Sequence, residues 1–315
     1  MCIRDRVKET MDCKLVKSKG NEMTEKLIVL DGSMGAELAR RGYGKSDGIW
    51  SAKALLDAPE MVAEVHRDYI KSGCRVITTN SYSTIPSYLN KGDLEDRYQE
   101  LTALAGQIAR KVADESDEEV LVAGCLPPLD VSYRPDLVPS DEDSLPIYKN
   151  LVVALDPFVD FFLCETMSLA REGKNAVSAA RSFSFRSLPV WVAWTLADDG
   201  SSGLRSGESI VEAYEAVEPF EPDAFLFNCT DPQAITLGFT KLLELTDKPI
   251  GGYPNSFHVP EGWTLDNEIP VERRELQTQE FVDLGEKWRL MGASIIGGCC
   301  GVGPGHLKAF CSHTS

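Results

Sequence analysis

Apolar residues in this chain follow two alternating patterns: short runs rich in Val, Ile and Phe, and longer stretches where they return every three or four positions. The first pattern predicts buried strands and the second amphipathic helices. Strand-like runs lie at 27–32 (LIVLDG), 76–82 (VITTNSY), 120–126 (VLVAGCL), 159–166 (VDFFLCET), 189–196 (PVWVAWTL), 224–230 (AFLFNCT), 249–255 (PIGGYPN) and 293–300 (ASIIGGCC). Helical spacing fills the gaps over about 52–72 and near 94–115, 143–157, 168–184, 207–218, 232–245 and 275–291, with a short helix after Pro304. In the first of these, Pro59 suits a first turn, Met61, Val62, Val65 and Tyr69 share one face, and Gly73 ends the helix.

Strands alternating with helices imply parallel pairing, and eight such units without a break in composition favour an α/β fold, a single (β/α)8 TIM barrel. An open doubly wound sheet is the competing arrangement, because both are built from the same units. Polar residues close nearly every run: Asp31, Asn80 with Tyr82, Cys125, Glu165, Thr195, Cys229, Asn255 and the pair Cys299–Cys300. In a barrel these C-terminal strand ends converge on the face that carries the active site.

Charge and cysteine content narrow the chemistry. A net charge of −17 over 315 residues opposes binding to nucleic acid or anionic membranes and leaves small molecules as the expected partners, with a monomer or small homo-oligomer as the expected state. Nine cysteines, an odd number without regular close spacing, predict a reducing, cytoplasmic setting rather than a disulfide framework. No run reaches membrane-spanning length and the N-terminal stretch lacks a signal-peptide core. Residues 1–25 read as a disordered or artefactual extension, with Met11 or Met23 as a natural start, and 26–315 as one barrel domain.

Adjacent residues of a regular strand point to opposite sides, so Cys299 and Cys300 reach one point only if the backbone leaves strand geometry, which Gly297, Gly298 and Gly301 permit. Cys229, at the end of the sixth run, offers a third thiol. Three thiolates favour zinc, and a three-ligand site keeps a fourth position for a substrate. The bland alternative is equally open on spacing alone: buried cysteines filling a crowded barrel end. Cys164 directly precedes Glu165 and is expected to face the helices, whereas Cys125 competes as a ligand.

Across about Leu27 to Leu307, the stretches LDGSMGAELARRG, DGIWSAKALLDAPEMVAEVHRDYIKSG, TTNSY, LCET, FNCT, GYPNS and IIGGCCG resemble the homocysteine S-methyltransferase family, in particular its short members that use S-methylmethionine or S-adenosylmethionine. The resemblance implies a zinc ion, Zn(2+), on Cys229, Cys299 and Cys300, with the thiol of L-homocysteine completing the site. It also implies that Asp31 and Glu165 hold the acceptor's ammonium group. Backbone N–H groups of the Gly32-Ser33-Met34-Gly35 turn suit its carboxylate, as helix N-termini favour anions. Taken singly, Asp31 reads as a turn or capping residue and Glu165 as half of an ion pair. Trp50, Tyr82 and Asn255 are candidates for the donor pocket, the two aromatics because ring faces receive onium cations. His66 and His258 read as structural or solvated.

The expected activity is therefore methyl transfer from a sulfonium donor to homocysteine, giving methionine. The alternatives are a betaine-type donor on the same barrel, a sugar-phosphate lyase or isomerase using the Gly-rich eighth loop, or a zinc-storing, redox-sensing barrel without turnover. The segment GCLPPLDVSYRPD departs from the family pattern, and the loops DDGSSGLRSGES and SFHVPEGWTLDNEIPVERREL are long enough to act as lids.

Overall fold

The computed structural model describes residues 27–43, 49, 51–258 and 276–314. Eight strands form one parallel sheet: β1 (Ile28–Val29), β2 (Val76–Thr78), β3 (Leu121–Leu126), β4 (Phe161–Met167), β5 (Val190–Trp194), β6 (Ala224–Asn228), β7 (Ile250–Tyr253) and β8 (Ile295–Ile296). Their order is β1-β8-β7-β6-β5-β4-β3-β2, and a parallel bridge from Leu30 to Val76 brings β1 against β2. That bridge nearly closes the cylinder and overturns the open-sheet alternative.

Strand alternation divides the hydrophobic residues into two cores. Ile28, Leu121, Phe161, Leu163, Trp191, Leu226 and Ile295 fill the cylinder, while their neighbours Val29, Val122, Phe162, Cys164, Val192, Phe225 and Ile296 pack under the helices. Phe161 and Trp191 touch across the interior with centroids 4.0 Å apart. Truncating such a fully buried ring costs about 3–5 kcal/mol, so Trp191 is a main contributor to the barrel interior. The expected outward direction of Cys164 is borne out, and the same parity points Cys125 and Glu165 inward.

The outer helices follow the expected stretches: Ala52–Asp57 and Pro59–Lys71, then Tyr98–Asp114, Asp141–Leu155, Ala170–Phe183, Ile210–Val217, Pro232–Leu242, Thr278–Leu290 and Pro304–Thr314. Ser209 and Glu212 form a reciprocal capping box that starts the helix between β5 and β6 at Ile210 rather than at 207. A short helix at Met34–Arg40 opens directly after β1, with Ser33 as its cap. A one-turn helix, Pro86–Leu89, was not signalled by periodicity.

Several strand expectations are too long; the runs at 27–32 and 76–82 form strands only at Ile28–Val29 and Val76–Thr78. The run at 249–255 stops at Tyr253, since Pro254 has no N–H to continue a ladder. The run at 293–300 pairs only at Ile295–Ile296, and the segment carrying the cysteines turns away beyond it. The expected extension at 1–25, Trp50 and most of the 256–276 loop lie outside the described residues. Among the described residues no helix is long and apolar enough to cross a membrane.

Candidate active site

The C-terminal strand ends surround an open pocket of about 760 Å³, open solvent at its mouth included. Asp31, Tyr82, Glu165, Cys229, Cys299 and Cys300 all line it. With Gly32 and Ser33, which line it too, eight of the residues expected from sequence are gathered in one place.

The thiol corner is built by backbone devices. Cys229 adopts a left-handed conformation (φ 55°) directly after β6, and Gly301 does the same (φ 84°) after the cysteine pair. A side chain at 301 is excluded, because its Cβ would lie 1.9 Å from Ser256 Oγ. Backbone bonds from Cys299 N to Pro254 O (2.9 Å) and from Ser256 N to Cys300 O (2.8 Å) pin the pair to the β7 loop. The Cys300 N–H donates to Asn255 Oδ1 at 3.2 Å. Asn255 is fully buried and does not line the pocket, so its observed contact is with the cysteine pair.

Cys229 Sγ lies 3.1 Å from Cys299 Sγ and 3.9 Å from Cys300 Sγ, and all three sulfurs fall within 4.8 Å of one another. Zinc–sulfur bonds of about 2.3 Å in tetrahedral geometry place ligand sulfurs about 3.8 Å apart, so this trio fits one zinc-sized ion with small adjustments. Hydrogen bonds from Cys229 and Cys299 hold the Cys300 thiol well below its ordinary range, which favours a thiolate in the cluster. Cys125 is not part of the trio; its thiol instead hydrogen bonds to Glu165.

The carboxyl corner faces the thiols. Asp31 Oδ2 accepts from Thr78 N at 2.8 Å and Oδ1 from Thr78 Oγ1 at 2.9 Å, which fixes the plane of the group. Glu165 Oε2 accepts from Tyr253 Oη at 3.2 Å. Glu165 sits in a register shift between Cys164 and Met167, where Thr166 is left-handed (φ 64°). Asn228 holds that irregularity from β6: its Oδ1 accepts from Thr166 N and its Nδ2 donates to Thr166 Oγ1, both at 2.8 Å.

Burial pushes both carboxyls up, Asp31 from 3.8 and Glu165 from 4.5, each to about 7. Bonds from Thr78 to Asp31 and from Cys125 and Tyr253 to Glu165 oppose the rise without cancelling it. Among the described residues no Lys, Arg or His pairs with either group, so the ion-pair reading of Glu165 fails. Two buried carboxyls without a cationic partner thus stand beside three thiols in one pocket, a grouping of perturbed acids of the kind that marks functional sites.

Gly32 and Ser33 are placed for backbone reasons. A Cβ at 32 would meet Val302 O at 2.5 Å, and Ser33 spends its N–H on Val302 O and its Oγ on Ala36 N. Tyr82 lines the pocket with its hydroxyl 2.8 Å from Ser132 Oγ. Sequence reasoning missed Thr78, Tyr133, Asn228 and Tyr253 as supports. Strand parity could have found Tyr253, an inward position at a strand end; Tyr133 lies in an irregular loop with no periodic signal.

The profile of the homocysteine S-methyltransferase family matches residues 28–314. Homocysteine S-methyltransferase 3 of Arabidopsis thaliana is 30% identical over 314 residues, covering 89% of this chain and 88% of the relative. Homocysteine S-methyltransferase YbgG of Bacillus subtilis is 30% identical over 305 residues, covering 90% and 93%. The metallated form of the homocysteine methyltransferase MmuM from Escherichia coli superposes with a TM-score of 0.78 at 26% identity, covering 96% of this chain and 99% of that one. With a profile that spans nearly the whole described chain and a barrel shared end to end, the protein belongs to the homocysteine S-methyltransferase family.

Proposed function

We propose that this methyltransferase moves a methyl group from a sulfonium donor, S-methylmethionine or S-adenosylmethionine, to the thiol of L-homocysteine, with zinc held by Cys229, Cys299 and Cys300 within one barrel domain over 26–315. The observation that carries this reading is the three-thiol cluster lying in the same pocket as two buried carboxyls without a cation. A zinc ion held by Cys229, Cys299 and Cys300 would favour the thiolate form of a further bound thiol near neutral pH, where a free thiol with a pKa of about 8.5 is mostly protonated.

The chain's own groups supply the rest. Asp31 and Glu165, ionised, receive the acceptor's ammonium group, and their bonds from Thr78 and Tyr253 keep the oxygens aimed into the pocket. The helix opening at Met34 presents its positive end to the acceptor's carboxylate. Held at both ends, the acceptor has its sulfur directed at the thiol corner. The Tyr82 ring lines the wall where a sulfonium methyl would approach. A sulfonium donor leaves as a neutral thioether, so the departing group needs no general acid. The metallated form of the E. coli relative supports the metal assignment. A storage role leaves the two carboxyls without a purpose.

The test is a methyl-donor screen with methionine detection, paired with metal analysis of the same sample. Zinc near one equivalent and methionine formed from a sulfonium donor are the expected results. A zinc-loaded preparation inert toward sulfonium donors overturns the proposal.

A further inference from the structure

The loop after β3, which departs from the family pattern, delivers a residue to the thiol corner. Tyr133 Oη lies 2.8 Å from Cys229 Sγ, although the two are 96 positions apart in sequence. Its backbone is left-handed (φ 68°), a conformation that costs a non-glycine residue on the order of 1 kcal/mol or more and persists only where surroundings enforce it. Here the surroundings are specific. The Arg205 guanidinium sits over the Tyr133 ring, 4.6 Å from its centroid. Arg205 Nε donates to Thr195 Oγ1 at 2.9 Å, and Nη2 pairs with Asp198 at 3.2 Å, both side chains of that pair being nearly buried. Asp198 is fixed in turn by Thr230 Oγ1 (2.5 Å) and Asp231 N (3.1 Å), immediately after Cys229. Thr195 Oγ1 also donates to the Cys229 carbonyl at 3.2 Å. Loops after β3, β5 and β6 therefore converge on one sulfur.

We propose that Tyr133 is a positioning residue for the metal site: its hydroxyl donates a hydrogen bond to Cys229 Sγ, and the Asp198–Arg205 pair clamps its ring for that purpose. The inference rests on the zinc reading. A metal-bound thiolate is only an acceptor, so the hydroxyl is the donor once the metal is present. The bond fixes the direction of the sulfur and draws charge from it. A phenylalanine fills the same space and offers neither effect.

The test compares wild type, Tyr133→Phe and Arg205→Met by two readouts independent of turnover. Zinc affinity is measured by competition with a chromophoric chelator, and the thiolate-to-metal charge-transfer band is recorded on cobalt(II)-loaded protein. Loss of a partner to a metal ligand weakens metal binding by about 10–100-fold; Tyr133→Phe is expected to weaken zinc about tenfold. Its cobalt band should move to lower energy, because a sulfur without the hydrogen bond gives up an electron more readily. Arg205→Met should move both in the same direction by less. A folded Tyr133→Phe protein with unchanged zinc affinity and band position overturns the inference. Should that variant fail to fold, Arg205→Met decides by the same readouts. A wild-type protein without any thiolate-to-cobalt band removes the zinc reading together with this inference.

Discussion

Replacing Glu165 with Gln should stabilise the substrate-free, metal-free protein while weakening its hold on the acceptor. Burial raises the Glu165 carboxyl from 4.5 to about 7, so ionising it in the folded state costs about 3 kcal/mol, at about 1.4 kcal/mol per unit. The sign follows from a raised acid: its contribution favours the fold below pH 4.5 and is lost as pH rises through about 7. Above that point wild type carries the full cost and Glu165→Gln carries none. Amide donors left partly unpaired take back about 1 kcal/mol, leaving a net gain of about 2 kcal/mol at pH 8, or roughly 4 °C in Tm for a chain of this size. At pH 5 both forms are essentially uncharged in the fold and the gain should largely vanish. Removing the charge that pairs with the ammonium should meanwhile raise the acceptor KM by roughly 10- to 100-fold, the range for a hydrogen bond to a charged group. Differential scanning fluorimetry at pH 8 and pH 5, with steady-state kinetics on L-homocysteine, reads both arms. A variant less stable than wild type at pH 8, or one with unaltered KM, refutes the reasoning.

Three further outcomes are expected. Cys299→Ser should bind zinc at least about 100-fold more weakly, beyond the loss caused by a supporting residue, and form no methionine; metal analysis that finds a full equivalent of tightly bound zinc would count against the trio. L-Methionine, which carries no thiol proton, should bind more weakly as pH falls below about 7, since Asp31 and Glu165 must lose protons to receive its ammonium group; calorimetry in buffers of different ionisation enthalpy should show protons released, and a pH-independent affinity would contradict this. Asn255→Ala leaves the partly buried Cys300 N–H without its acceptor, at a cost of about 1 kcal/mol in stability, with weaker zinc binding as the second readout and an unchanged denaturant midpoint as the contrary result.

The parts of the site that were legible in the sequence are those that obey a local rule. Glu165 and Cys164 obey strand alternation, so one faces the pocket and the other the helices. Cys299 and Cys300 escape alternation only because glycines flank them, which made their joint approach to Cys229 readable. Other parts depend on contacts that no period encodes. Tyr133 reaches Cys229 from an irregular loop, Asn228 braces Thr166 across two strands, and Thr78 orders Asp31 from a different strand end. The bonds made by Ser33 and Asn255 were hidden for the same reason: the Ser33 N–H donates to Val302 O, and Asn255 Oδ1 accepts from the Cys300 N–H. Strand lengths were overestimated where proline or glycine stops the ladder while the apolar pattern continues.

On the proposed reading, the features that oppose folding are the ones that bind metal and acceptor. Two buried carboxyls titrate near neutrality, three sulfurs crowd within 4.8 Å, and Thr166 and Cys229 hold left-handed backbone conformations. The sulfurs and the carboxyls are unfavourable without partners, and on that reading each set becomes favourable with its complement: a dication for the sulfurs, an ammonium group for the carboxyls. A barrel whose interior is packed by Phe161, Trp191 and Leu226 can tolerate that strain at one rim without unfolding. Partners for the sulfurs and the carboxyls offset their repulsion and desolvation, so metal and acceptor should each stabilise the fold, and each should tighten the other because the acceptor's sulfur would complete the metal's ligand set.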